Sequence, residues 1–122
     1  MSDAHLNAQL SNAIGAHGAW KMRLRVAAMN GDTSEVMERA GDCHACDFGR
    51  WLDGLSADMR TKPEARETIG LHEAFHKSAG RVAQMIAQGK KDAALSMLDG
   101  EFNEASSALK TAVAKWKLAA TS

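Results

Sequence analysis

The chain has 122 residues, 45% of them hydrophobic, and its 15 basic residues are balanced by 15 acidic ones. That length suits a single domain over residues 1–122 with a real hydrophobic core, and the composition is that of a globular chain. Zero formal net charge, with basic residues scattered rather than gathered beside aromatics, argues against nucleic-acid binding. No stretch approaches the roughly 18 apolar residues that a membrane span needs. The polar N-terminus, MSDAHLNAQLSNAIGAHG, carries no apolar run of signal-peptide type. Two cysteines, three positions apart, rule out a disulfide framework and point to the reducing cytoplasm.

Alanine, leucine, lysine and glutamate dominate, runs of β-branched residues are absent, and Pro63 is the only proline. Helix is therefore predicted nearly throughout. The first helix is predicted over residues 3–29, closed by Asn30-Gly31. A short successor, capped by Asp32, Thr33 or Ser34, runs to about residue 40 and stops at Gly41. A third, short helix covers residues 47–55. Its Phe48, Trp51, Leu52 and Leu55 would pin it onto a bundle, and Gly49 would let it pack closely. The fourth starts after Pro63, a favourable first-turn residue, and runs to about residue 88 before Gly89. The last covers residues 92–119, with a soft point at Gly100.

The long helices carry apolar stripes at about 100° per residue. In the first, Leu6, Leu10, Ala13, Trp20, Leu24 and Ala28 share one arc with His17 at its centre. In the fourth, Ile69, Ala79, Val82, Ala83 and Ile86 form the arc, with His72 and His76 inside it. The last offers Leu95, Leu98, Phe102, Ala105, Leu109, Val113 and Trp116, without a histidine or cysteine. These stripes predict an all-α protein: an antiparallel four-helix bundle with an additional short helix or two carrying the Cys46 segment.

Residues 72–76, HEAFH, match the H-E-x-x-H pattern of zinc proteases, in which the glutamate serves as general base. An enzyme of that kind needs an open metal position and a sheet edge to hold an extended substrate. The chain offers no strand. Glu73 falls at the margin of the apolar arc, where a solvated or outer carboxylate is expected, and no catalytic residue is assigned. Glu101 and Glu104 lie on a helix whose stripe holds no other ligand. Three inward histidines, two of them spaced i, i+4, need a partner that satisfies them. Cys46 supplies a fourth donor, and a thiolate with three imidazoles suits Zn2+ better than magnesium or calcium. Two other readings stay open: a hydrolytic site of three histidines and a water, and a zinc ion that merely staples the bundle. A di-iron site is disfavoured because inward glutamates are missing.

The segments AHGAWK around His17, CDFGRWLDGL from Cys46, and HEAFH resemble the three signature segments of the chemoreceptor zinc-binding (CZB) domain family. They cover the first three quarters of the chain in the family's order. The resemblance implies a helical-bundle domain, often a homodimer, that acts in cis or in trans with bacterial chemoreceptors or diguanylate cyclases. It implies Zn2+ held by His17, Cys46, His72 and His76, with zinc occupancy or oxidation of Cys46 altering helix packing. Trp20, Phe48 and Trp51 would pack around the metal and limit solvent access. Cys43 and His44 depart from the pattern, making C-H-A-C. Cys43 is expected to be a nearby non-ligand, with exchange for Cys46 on the metal or a reversible disulfide to it as the readings left open, and His5 a solvated residue near the helix start.

Overall fold

The computed structural model describes residues 3–33, 40–42, 44 and 46–121. Six helices are described: α1 (Asp3–Asn30), α2 (Asp47–Asp53), α3 (Ala57–Arg60), α4 (Pro63–Ala87), α5 (Lys91–Asp99) and α6 (Glu101–Thr121). No strand occurs among the described residues. The expected all-α bundle is the observed fold. The short helix expected near residues 32–40 falls largely on residues outside those described, and so does Cys43. The side chain of His5 is likewise outside them.

Local chemistry accounts for the boundaries. α1 stops where Gly31 takes φ 68°, and the chain turns after α4 where Gly89 takes φ 77°. Both values lie in the left-handed region, which a residue with a Cβ enters only at a cost. Pro63 opens α4, where its missing N–H costs no intrahelical bond. Ser56 caps the unanticipated α3 by accepting the Met59 N–H. The C-terminal helix is two helices rather than one. Gly100, at φ −106° and ψ −103°, leaves helical geometry and breaks the ladder between α5 and α6.

Side-chain pairs fix the helix directions. Arg81 meets Glu101, Phe75 meets Phe102, and Lys115 meets Glu67, so α4 and α6 are antiparallel. Lys21 bonds Asn103, while Ala13 and Ile14 lie near Lys110 and Val113. α1 is therefore also antiparallel to α6, and α1 and α4 run parallel to each other. Two parallel helices need a return connection, and residues 31–62 supply it. That crossover carries α2 and α3.

All of the apolar stripe of α1 is buried, as are Val82, Ala83 and Ile86 of α4 and Leu109, Val113 and Trp116 of α6. Ile69, Leu95 and Ala105 are only partly buried, because they sit at the edges of their arcs. Phe75, absent from the sequence stripe, is fully buried and packs 5.2 Å from Phe102.

One cationic clamp was not expected. Arg60 donates to the carbonyls of Leu52 at 3.0 Å, Asp53 at 2.7 Å and Leu55 at 3.3 Å. These carbonyls lie at and beyond the end of α2, where the helical ladder runs out; the Leu52 carbonyl also accepts the Leu55 N–H at 3.2 Å, and Arg60 adds a side-chain donor. Arg60→Ala is expected to cost roughly 1–2 kcal/mol of stability, read from the urea midpoint. It should also raise amide exchange in residues 50–55 before the rest of the bundle.

Candidate metal centre

His17 sits at the middle of α1 with the buried Leu10 and Ala13 on one side and Trp20 and Leu24 on the other. It faces inward because it shares their arc. His72 and His76, one turn apart, face inward from α4 for the same reason. Cys46 is the N-cap of α2 in extended conformation, with its Sγ 3.2 Å from the Gly49 N–H. Phe48, Leu52 and Leu55 are buried and fasten that short helix against the bundle, which brings the sulfur to the histidines.

One ligand atom from each of His17, Cys46, His72 and His76 lies within 4.8 Å of every other. His72 Nε2 is 3.0 Å from His17 Nε2 and 3.3 Å from Cys46 Sγ, which is 3.9 Å from His17 Nε2. Tetrahedral zinc with ordinary bond lengths sets donors about 3.3 Å apart for two nitrogens and about 3.6 Å for nitrogen and sulfur. The donor set thus fits zinc in both chemistry and spacing.

The far nitrogens of two imidazoles are already engaged. His17 Nδ1 donates to the Ala13 carbonyl at 2.7 Å, and His76 Nδ1 donates to the Ala40 carbonyl at 2.9 Å. A carbonyl only accepts, so the proton belongs on Nδ1 and Nε2 of each ring is left as the lone-pair nitrogen. Burial, aided by the neighbouring imidazoles, holds His72 down at about 3. His17 is lowered to about 4, chiefly by burial, against the pull of the Ala13 carbonyl. Both rings are therefore neutral near pH 7, as metal ligation requires. Burial pushes the Cys46 thiol up, opposed mainly by the Gly49 N–H, so a metal must displace its proton.

Aromatic rings wall the site as expected. Phe48 stands edge-on to His17 and His72 at 5.7 and 5.2 Å, and Trp51 stacks on Phe48 at 5.7 Å. Trp20 closes the side near His76 at 6.3 Å. Phe75, inside HEAFH but not singled out by the sequence, lies edge-on to His17 at 5.0 Å. A groove of about 600 Å³ between α1 and α2 reaches His17 and Cys46, with Arg23 and Arg50 on its walls.

The other candidate residues do not join the four. Glu73 and Glu104 are exposed, and Glu101 pairs with Arg81 at 2.8 Å. His44 is exposed and bonds Asp53 at 2.8 Å, and that carboxylate raises its pKa. No sequence pattern marked Ala40 as a partner of His76, because the contact joins residues 36 positions apart.

An all-α bundle that gathers three buried histidines and a half-buried cysteine within 4.8 Å defines a small helical protein with a candidate metal centre. The family model for the chemoreceptor zinc-binding domain matches residues 17–83. The chain belongs to that family. No curated protein and no solved structure matches it. Among the described residues, no helix is long and apolar enough to cross a membrane.

Proposed function

We propose that the chain is a zinc-binding sensory module in which His17, Cys46, His72 and His76 hold one zinc ion. One observation carries this reading: four donors from three separate segments converge within 4.8 Å. Bound there, zinc would be a closed four-ligand centre that keeps the Cys46 sulfur as thiolate. Four protein donors leave no position for an activated water. Glu73 is exposed, and in this reading the site serves regulation rather than hydrolysis.

The signal follows from where the donors sit. His17 belongs to α1, Cys46 caps α2, and His72 and His76 belong to α4. Ligands that must meet to bind stabilise the arrangement in which they meet. Loss of the ion should loosen α1 and the Cys46 segment from α4. Oxidation of the Cys46 thiolate to sulfenic acid would weaken one ligand and act in the same direction. The family's association with chemoreceptors makes a chemotaxis or cyclic-di-GMP protein in the cytoplasm the natural listener. In this reading residues 1–122 act as one domain.

A homodimer would carry the change between chains. Met22, Val26 and Met29 are 71%, 52% and 59% exposed, and their i, i+4, i+7 spacing forms one outward stripe on α1. This second apolar face lies on the helix that also supplies His17.

The test compares zinc content and ligation in the wild type and Cys46→Ser, then follows hydrogen exchange and sedimentation as a chelator removes the metal. One zinc per chain with thiolate ligation is expected, with faster exchange in α1 and α2 after chelation. Unchanged exchange and an unchanged oligomeric state on zinc removal would sink the sensory reading.

A further inference from the structure

Gly80 lies four residues after His76, on the same face of α4. A Cβ built on Gly80 would come within 2.9 Å of the Gly41 Cα and 3.5 Å of the Gly41 nitrogen. The first distance is too short for any side chain at residue 80, so the Gly41 backbone seats there because Gly80 has none, whereas a Cβ on Gly41 would stand an ordinary 3.5 Å from the Gly80 Cα. The residue before Gly41 is Ala40, fully buried, whose carbonyl accepts the His76 Nδ1 proton at 2.9 Å.

We propose that Gly80 is a positioning residue for the metal ligand His76: its missing side chain lets Gly41 seat on α4 and holds the Ala40 carbonyl on His76 Nδ1. The proposal rests on the zinc reading of the site. A helix would gain from alanine at this position, whereas the crossing needs glycine. With the carbonyl in place, the Nδ1 proton is fixed and Nε2 is presented to the site. If the crossing backs away, the ring loses that hydrogen bond, and its proton is no longer held on Nδ1. The crossover then grips α4 twice, at Gly80 through Gly41 and at His72 through Cys46. These points are about 12 Å apart along the helix. Metal held by His76 and Cys46 is thereby tied to the backbone on both sides of residues 41–46.

Gly70 gives a matched control. It lies in the same helix, and a Cβ there would meet nothing within 4 Å. Gly80→Ala is expected to weaken zinc binding by roughly 10- to 100-fold, the usual scale for loss of a hydrogen-bond partner behind a ligand. Gly70→Ala should stay within about twofold of wild type, because it changes helix propensity alone. Affinity is read by competition with a chromophoric chelator. Nitrogen-15 shifts of the His76 ring, taken on the metal-free chain, supply a readout that a general loss of stability would not move. Wild type should show the proton on Nδ1, and Gly80→Ala should show a mixture of tautomers. A Gly80→Ala chain that binds zinc like wild type overturns the proposal, and so does a wild-type His76 protonated on Nε2. The second result needs no variant, so it decides even if Gly80→Ala fails to fold. A wild-type chain that takes up no zinc would instead sink the reading of the site, leaving the metal-free tautomer to decide the positioning contact alone.

Discussion

His72→Ala is expected to lower zinc affinity by roughly 100- to 1,000-fold, while Glu73→Gln leaves it within about twofold. Structural zinc in small domains is held with about 10–16 kcal/mol, so one of four ligands accounts for roughly 3–4 kcal/mol. His72 is the pivot of the cluster, with its Nε2 within 3.3 Å of both the His17 nitrogen and the Cys46 sulfur. Glu73, its sequence neighbour, is turned to solvent. The two substitutions thus separate the closed site from the zinc-protease pattern that HEAFH spells. In a protease the glutamate would matter for catalysis and the chain would cleave peptides. A competition titration against a chelator, run beside a peptide-cleavage assay, reads both. A marked loss of binding in Glu73→Gln would contradict the placement of that carboxylate.

The metal-free chain is expected to lose stability as pH falls below about 6.5, the ordinary histidine value. His17 and His72 are held neutral in the folded chain, at about 4 and about 3, so the unfolded chain binds the extra protons first. Their contribution is complete above pH 6.5 and disappears as pH falls through the folded values. Lowering a histidine from 6.5 to about 4 corresponds to on the order of 3 kcal/mol, and the two rings lie too close for their contributions to add in full. His44 runs in the opposite direction, since Asp53 raises it, but its full exposure leaves that pair screened. Urea unfolding between pH 7.5 and 4, in the presence of a chelator, should show a steadily falling midpoint. His72→Gln, whose amide does not titrate, should give a shallower fall. An equal slope in the two chains would contradict the buried neutral state of His72.

Much of the site could be read from spacing. His17, His72 and His76 each fall on an apolar arc, and an α-helix buries whatever lies on that arc. The same arithmetic could not find the Ala40 carbonyl, Arg60 or Gly80. Ala40 on His76 and Gly80 under Gly41 act through contacts across the chain, and Arg60 turns back onto carbonyls five to eight residues before it, outside any helical period. Phe75 was missed for a different reason. It occupies the x position next to His76 in a motif read for its ligands, yet it is fully buried between His17 and Phe102.

Helix content, the inward placement of the histidines and the turns at Gly31 and Gly89 follow from local rules, because 3.6-residue periodicity and glycine's left-handed freedom act within a few residues. Tertiary structure alone decided that α1 and α4 run parallel and that the crossover lays Cys46 beside His72. Those outcomes depend on which surfaces remain to be buried once the long helices meet. That is a property of the whole packed chain, and local sequence does not encode it.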